Sequence, residues 1–224
     1  MPTLLLRLAG PLQSWGVESK FENRRTEKLP TKSGVTGLVA SALGRQRNES
    51  IEDLSELQFG VRADQPGKVI CDFHTAKKDE KTSYISYRYY ISDGIFVAGL
   101  YGEDRAFLEK IDNALKHPAY PLFLGRRSCP VTLPLTLGII DLPLLDALKD
   151  HELKPEIKNP QSPLIVEIEE EGSSMRMVKD KALSFDPKYR KFGYRKCGEL
   201  VVGNENAETE HDPLRGWEDE NGIV

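Results

Sequence analysis

The chain has 224 residues, 39% of them hydrophobic and 29% charged, and a formal net charge of −4 at pH 7. This composition can form a buried core and argues against a generic cationic binder of polyanions. No apolar run reaches the roughly 18 residues needed to cross a bilayer, and the N-terminus lacks the layout of a secretion signal. We therefore expect a cytoplasmic protein with no membrane partner.

Cysteine and histidine usage argues against a metal or cofactor. Cys71, Cys129 and Cys197 are odd in number and form no C-x-x-C pair, which favours reduced thiols over a disulfide framework or a zinc site. The four histidines are widely spaced, and the sequence contains no phosphate-binding glycine loop or zinc-protease motif. We expect neither a metal nor a cofactor.

The first 62 residues predict a strand, a helix and a second strand. Residues 3–8 form a short apolar run typical of a buried strand. From 35 to 43, apolar side chains recur with helical spacing, after Pro30-Thr31 and before Gly44, which indicates an amphipathic helix. A brief turn over 50–57 leads into a strand at 59–62.

A long polar excursion follows and separates this unit from a second one of the same kind. Residues 68–92 predict an extended hairpin, because the second arm alternates in polarity and 77–81 resemble a turn. A strand at 95–101, a helix over 107–117 and a strand at 120–125 complete the second unit. The order predicts an α+β fold, a ferredoxin-like or RRM-like unit with an inserted hairpin.

Beyond residue 130 the pattern changes to shorter strands. We predict strands at 131–140, 164–169, 175–178 and 194–202, with a small helix over 142–149. These elements are typical of a small β-rich lobe. From Glu199 to the C-terminus there are eight acids against Arg215, so residues 203–224 are expected to be an acidic, partly disordered tail.

Basic side chains are concentrated between Lys20 and Arg47, where seven Lys or Arg stand against two Glu. Lys32-Ser33-Gly34 opens the first predicted helix, where free N–H groups and the positive end of the dipole favour a phosphate. A simple N-cap at Thr31 or Ser33 explains the same residues equally well. Arg45 and Arg47 follow the helix C-terminus, where cations are also favourable for structural reasons.

Aromatic residues accompany the basic ones in several places. Trp15, in a glycine-containing loop, suits either stacking on a base or covering the edge of the core. Arg88 stands among tyrosines in the hairpin, an arrangement typical of base contacts and of protein interfaces. A second basic and aromatic stretch, which a twisted surface strand would also explain, contains Lys188, Tyr189, Arg190, Lys191, Phe192, Tyr194, Arg195 and Lys196.

The stretch FLGRRSCP, residues 123–130, joins an apolar run to a glycine, two guanidinium groups and a proline. Glycine allows close approach of another backbone and proline ends a strand, so Arg126 and Arg127 are predicted to stand at the mouth of the fold. Two adjacent arginines in that position indicate a site for an anion.

Three motifs in order resemble a known family: LRLAGPLQSWG within 5–16, PTKSGVTGLVASALG with RQR over 30–47, and FLGRRSCPVTLPLTLG over 123–138. They are similar to the CasD subunits of type I-E Cascade, a CRISPR RNA-guided surveillance complex, which belong to the RAMP superfamily. The resemblance spans the first 140 residues. Beyond them it is loose.

The resemblance implies a palm over residues 1–140 with a hairpin thumb at 68–92. The residue pattern adds a small β-rich lobe over 141–202 and the acidic tail over 203–224. It implies a non-catalytic, RNA-binding subunit in antiviral defence that caps the 5′ handle of the CRISPR RNA and contacts the backbone and large subunits. Target DNA would be met only indirectly. The RNA-binding residues expected on this basis are Trp15, Arg24, Arg25, Lys32, Ser33, Gly34, Arg45, Arg47, His74, Arg88, Arg126, Arg127, Ser128 and Cys129.

Two alternatives remain open from the sequence. Similar proteins of another CRISPR subtype cleave repeat RNA without a metal, and the adjacent Lys116 and His117 together with the many tyrosines suit such an endoribonuclease. The same two side chains at a helix C-terminus are also what the helix dipole favours. A free-standing RRM-like protein would explain the fold and the basic segments but leaves the long hairpin without a role.

Overall fold

The computed structural model describes residues 2–16, 23–77, 83–151, 164–169 and 173–202. Within them, a large seven-stranded antiparallel sheet is accompanied by a smaller four-stranded sheet and four helices. The α+β class predicted from the sequence is confirmed. The predicted acidic tail over 203–224 and most of the hairpin turn at 77–81 lie outside the described residues.

The large sheet has the following strands: β1 (Thr3–Ala9), β4 (Gln58–Gln65), β7 (Ile95–Tyr101), β8 (Thr136–Ile140), β9 (Leu164–Glu169), β10 (Ser173–Ser184) and β11 (Lys191–Val202). Their order across the sheet is β10-β11-β9-β4-β7-β1-β8. The small sheet contains β2 (Leu12–Gln13), β3 (Asn23–Arg24), β5 (Lys68–Lys77) and β6 (Ser83–Ser92). The helices are α1 (Lys32–Ala42), α2 (Glu52–Glu56), α3 (Arg105–Lys116) and α4 (Leu144–Asp150).

Helices cover the middle of the large sheet on both faces. Alternate residues of β1 point to opposite faces, so Leu4 packs in the core beneath α1 and α3 while Leu5 packs beneath α4. Every residue of β1 is buried. A strand covered on both faces has a nearly continuous apolar sequence, which is why its signal is so clear.

The strand predicted at 120–125 is absent, and the prediction is wrong. Gly125 has a φ of +84°, which turns the chain back on itself, and the Leu124 N–H donates to the carbonyl of Cys129 at 2.7 Å. The segment therefore closes a tight loop instead of joining a ladder. Its place beside β1 is taken by β8, which pairs antiparallel with it.

The strands predicted to form a second lobe extend the same sheet. Residues 60–63 of β4 pair antiparallel with β9, which in turn pairs with β11. The small helix predicted over 142–149 is α4. No described helix is long and apolar enough to span a membrane.

The predicted hairpin is formed by β5 and β6, which pair from Lys68↔Ser92 to Lys77↔Ser83. At its base, Tyr90 and Ile91 are buried in the core. Farther out, Phe73 and Tyr87 are exposed and contact each other edge to face, with ring centroids 5.0 Å apart. The hairpin therefore projects from the core with an apolar, aromatic surface.

Candidate nucleic-acid interface

A cleft of about 700 Å³ lies between α1, the loop at 122–126 and the turn that joins β10 to β11. Four arginines stand at it: Arg45, Arg47, Arg126 and Arg190. Among the described residues that line it there is no Asp or Glu. The remaining lining residues are Ser14, Trp15, Gly16, Thr31, Ser33, Gly34, Gly37, Leu38, Ala40, Ser41, Gln46, Ile51, Leu122, Phe123, Gly125, Phe185, Pro187 and Phe192.

The cleft combines positive charge with apolar and small side chains. Phe123, Phe185 and Phe192 supply aromatic surface, while glycines and serines of α1 leave room between them. Aromatic rings stack on bases and guanidinium groups bind phosphates, so this combination suits a short stretch of single-stranded nucleic acid.

The N-terminus of α1 is fixed by close packing against Trp15. The Thr31 side chain accepts a hydrogen bond from the Gly34 N–H at 3.3 Å. A Cβ on Gly34 would lie 2.7 Å from the Trp15 ring, which is only 1% exposed and donates from Nε1 to Gln13 Oε1 at 3.0 Å. Trp15 is thus part of the core, and the prediction that it stacks on a base is corrected.

Lys32 is also turned into the protein. It is 3% exposed, its Nζ lies 2.9 Å from Glu169 Oε1, and its backbone N–H donates to Asp180 Oδ2 at 2.8 Å. Burial lowers the pKa of Lys32, although Glu169 opposes the shift. A carboxylate of the protein already occupies this helix N-terminus, so the predicted phosphate seat at Lys32 is corrected too. Ser33, beside it, lines the cleft.

The loop at 124–129 is docked on the segment before Trp15. The Ser14 N–H donates to the Leu124 carbonyl at 3.1 Å, and the Cys129 N–H donates to the Arg126 carbonyl at 2.9 Å. A Cβ on Gly125 would lie 1.7 Å from the Ser14 carbonyl oxygen, so only glycine fits there. The FLGRRSCP motif is therefore a compact turn that presents Arg126 and Arg127.

Arg126 connects this loop to the hairpin and to the basic segment. Its guanidinium lies 4.8 Å from the centroid of the Tyr90 ring, and Nη2 donates to the Arg24 carbonyl at 2.6 Å. Burial acts to raise the pKa of Tyr90, but hydrogen bonds from Ser128 and Arg126 outweigh it and lower that pKa. Arg126 thus acts partly as a structural clamp, whereas Arg127 and Ser128 are exposed.

The clamp brings several predicted residues to one side of the molecule. Arg24 and Arg25 are exposed, and β3 pairs in parallel with β6 so that Arg24 stands opposite Arg88. Arg88 Nε donates to Ser86 Oγ at 3.3 Å. These arginines extend the positive surface from the cleft towards the hairpin.

Arg45 and Arg47 differ in whether a carboxylate of the protein already pairs with the guanidinium group. The Arg45 guanidinium binds both carboxylate oxygens of Asp53, with Nη1 2.6 Å from Oδ1, and this hydrogen bonding raises its pKa and lowers that of Asp53. In the described part of the chain, no carboxylate pairs with Arg47, which is exposed. Arg47 is therefore free to bind a phosphate.

His74 and Cys129 stand apart from the cleft. His74 lies on the outer part of the hairpin and is exposed. Cys129 is fully buried, which raises the pKa of its thiol, and it supports the loop instead of contacting solvent. The predicted role of Cys129 as a polar RNA contact is corrected.

Thiol reactivity tests these placements. Iodoacetamide at pH 8 is expected to label the folded protein once, at exposed Cys71, and the unfolded protein three times. Cys129 and Cys197 are buried, and burial raises the pKa of Cys197 to about 11, so only about 0.1% of it is thiolate at that pH. Intact mass spectrometry counts the labels. Fast triple labelling of the folded protein would contradict the burial.

Four aromatic or basic residues that line the cleft are absent from the predicted RNA-binding set: Phe123, Phe185, Arg190 and Phe192. The basic and aromatic stretch from 188 to 196 contained two of them. No sequence signal, however, shows that the β10–β11 turn folds back over α1. In the described ranges, no group of three His, Cys, Asp or Glu is placed to hold a metal ion.

Comparison with known proteins gives concordant matches. A family model described as "CRISPR-associated protein (Cas_Cas5)" matches residues 3–198. The chain is 37% identical over 156 residues to the CRISPR system Cascade subunit CasD of Escherichia coli (strain K12), covering 60% of this chain and 70% of that protein. A solved structure described as "Crystal structure of Cas protein" is 41% identical, with a TM-score of 0.72 over 91% of this chain and 96% of that one. A chain of a "CRISPR RNA-guided surveillance complex" is 28% identical, with a TM-score of 0.77 over 90% of each chain.

Proposed function

Since the chain belongs to the CRISPR-associated protein (Cas_Cas5) family, we propose that it is a non-catalytic, RNA-binding subunit of a CRISPR RNA-guided surveillance complex. Its task is to cap the 5′ handle of the CRISPR RNA. The observation that carries the proposal is the cleft, where four arginines meet aromatic side chains and no described lining residue is acidic. A protein of net charge −4 that concentrates arginine in one cleft is suited to binding a local anion there.

The handle would lie in the cleft, with phosphates on Arg47 and Arg190 and bases against the phenylalanines. Arg24, Arg25, Arg88 and Arg127 would continue the contact towards the hairpin. Guanidinium groups bind phosphate through two parallel hydrogen bonds, which holds a strand in register without reading its sequence. The protein therefore needs only a short positive path.

A ferredoxin-like palm with a hairpin thumb is part of the proposal. The order β4-β7-β1-β8, with α1 and α3 packed on one face, supports the palm over 1–140, and the projecting β5–β6 hairpin supports the thumb at 68–92. We propose that its exposed apolar surface docks on the backbone and large subunits, because exposed aromatic patches are typical of protein interfaces. Target DNA would be contacted indirectly.

The cleft supports a binding role over an endoribonuclease. The described residues that line it include no His, Lys, Tyr, Asp or Glu, and the arginine pKa is too high for acid–base work near neutral pH. Lys116 forms an ion pair with Asp112 at 2.6 Å, and neither it nor His117 lines the cleft.

The test uses the double variant Arg47→Glu with Arg190→Glu. Both side chains line the cleft, and we expect the affinity for handle RNA to fall at least about tenfold at 0.1 M salt, because two phosphate contacts become repulsive. Fluorescence anisotropy with a labelled RNA carrying the repeat-derived handle measures the change.

The matched control is Lys110→Glu with Lys149→Glu, which makes the same change in net charge at exposed positions of α3 and α4. Its affinity should remain close to that of the unaltered protein. An equal loss of affinity in both variants would show a general effect of net charge and would contradict the proposal that the cleft binds the RNA. Cleavage of the RNA in EDTA to a 2′,3′-cyclic phosphate end would contradict the non-catalytic role.

A further inference from the structure

The β10–β11 ribbon carries a second concentration of positive charge, of which only Arg190 lines the cleft. Seven Lys or Arg and two Asp lie between Lys179 and Lys196. Asp180 is buried and paired with Arg195 at 2.6 Å, and Asp186 Oδ1 accepts the Lys188 N–H at 2.7 Å within the turn. Neither acid neutralises the exposed lysines.

One face of the ribbon presents these lysines beside a tyrosine. Residues alternate between faces along each strand, and Arg195 and Asp180 point inward, so Tyr194, Lys196 and Lys179 point outward. Lys179 Nζ lies 5.7 Å from the centroid of the Tyr194 ring, which is 59% exposed. On the same side of the large sheet, α4 covers β4 and β7. It does not cover the ribbon at Tyr194, and neither does any other described helix.

The turn of the ribbon continues the same chemistry. Tyr189 is 75% exposed, with Lys188 and Lys191 exposed on either side of it. Between residues 175 and 196, no described carboxylate forms an ion pair with any of the exposed lysines. Arg190, which stacks on Phe192 with its guanidinium carbon 5.1 Å from the ring centroid, lies in this turn and also lines the cleft.

We propose that this outer face of the ribbon is a second binding surface, and that its ligand is a single-stranded polynucleotide. Lys179, Lys188, Lys191 and Lys196 bind backbone phosphates, and Tyr189 and Tyr194 stack on bases. Unpaired lysines alone would suit any polyanion, whereas exposed tyrosine rings between them favour unpaired bases over a duplex. The inference rests on the proposed function in one respect, that the surface meets the RNA-binding cleft at Arg190.

The test measures the binding of the full chain to a labelled 30-nucleotide polyuridine RNA over a range of salt concentrations. Lys179→Glu with Lys196→Glu is expected to weaken binding at least about tenfold and to reduce the salt slope by about 1.4, since each lost phosphate contact removes about 0.7. Lys110→Glu with Lys149→Glu is the charge-matched control, and circular dichroism verifies the fold. A slope and an affinity equal to those of the control would overturn the proposal.

A second variant isolates stacking. Tyr189→Ala with Tyr194→Ala is expected to weaken binding to the polyuridine RNA at least about thirtyfold while leaving its salt slope unchanged. A polythymidine DNA of the same length should respond in the same way. Binding to a duplex as tightly as to the single strands, or no effect of the tyrosine changes, would overturn the assignment to unpaired strands and favour a protein partner instead.

The two proposals fail separately in this design. Lys179→Glu with Lys196→Glu should leave the affinity for a ten-nucleotide RNA with the repeat-derived handle unchanged, because the cleft holds it. If the unaltered protein bound polyuridine through the ribbon but did not bind handle RNA, the proposed function would fail and the ribbon surface would remain. If this variant instead bound handle RNA more weakly than the unaltered protein, the ribbon would belong to the same site as the cleft, and the proposal of a separate second surface would be overturned.

Discussion

Replacement of Arg195 by Met is expected to lower the free energy of unfolding by about 3–5 kcal/mol. Arg195 is 6% exposed, and its guanidinium donates to Asp180 at 2.6 and 3.0 Å and to Glu167 at 3.0 Å. Met fills a similar volume but leaves those carboxylates buried with fewer partners. The loss of one partner from a buried ion pair costs far more than the pair itself contributes, because the remaining charge stays desolvated.

The network around Arg195 joins parts of the chain that are distant in sequence. Asp180 also accepts the N–H of Lys32, whose Nζ binds Glu169, so α1 is tied to β9, β10 and β11 through charged groups. Arg176 contributes a further ion pair to Glu167. Because α1 forms one wall of the cleft, the same network positions the β10–β11 turn against it.

Urea denaturation of the variant and the unaltered protein measures the difference. Arg105→Met serves as a control, because it removes two exposed ion pairs, with Glu109 and Asp141, and exposed pairs contribute little. A loss of stability in the Arg195 variant no larger than that of the control would contradict the role of the buried network.

The elements that the sequence predicts best are those whose signal is local. β1 is a continuous apolar run, and α1 has apolar side chains at helical spacing after a capping Thr31, so both are found close to their predicted positions. The hairpin was visible from strict alternation. The prediction of a strand at 120–125 was wrong because the apolar residues of this segment pack a loop against Ser14. Only the close contact of Gly125 with the Ser14 carbonyl, which is distant in sequence, distinguishes the loop from a strand.

Predicting the site was harder, because the same residue types serve the core and the surface. Lys32 and Trp15 are residue types that often contact RNA. Here both are buried, because Lys32 binds a carboxylate of β10 and the Trp15 ring packs against a glycine of α1. Those partners are 148 and 19 positions away in the chain, and no local pattern reveals them. Arg47, by contrast, is exposed and lines the cleft, since a cation just after a helix end has few ways to be buried. Its contact with RNA stays a prediction.

Gly125→Ala is the substitution expected to affect both stability and RNA binding most directly. A Cβ at this position would lie 1.7 Å from the Ser14 carbonyl oxygen, and the φ of +84° is itself strained for alanine. Backbone strain and overpacking together should cost about 2–5 kcal/mol. The loop cannot keep its hydrogen bond to Ser14, so Arg126 would move away from Tyr90 and the cleft would lose one wall.

Gly138→Ala provides the matched control, because Gly138 also has a positive φ, of +97°, but no described heavy atom beyond Gly138 and its two chain neighbours lies within 4 Å of the point that an alanine Cβ would occupy. Its free energy of unfolding should fall only by the contribution of backbone strain, about 1 kcal/mol. It should bind handle RNA as tightly as the unaltered protein does. Urea denaturation and anisotropy on both variants separate the two contributions. Equal free energies of unfolding for the Gly125→Ala and Gly138→Ala variants would mean that the backbone at Ser14 moves away from the new Cβ without loss of stability. Full RNA binding by a destabilised Gly125→Ala would mean that the loop is dispensable to the cleft, because the arginines could then hold the strand without the turn that presents them.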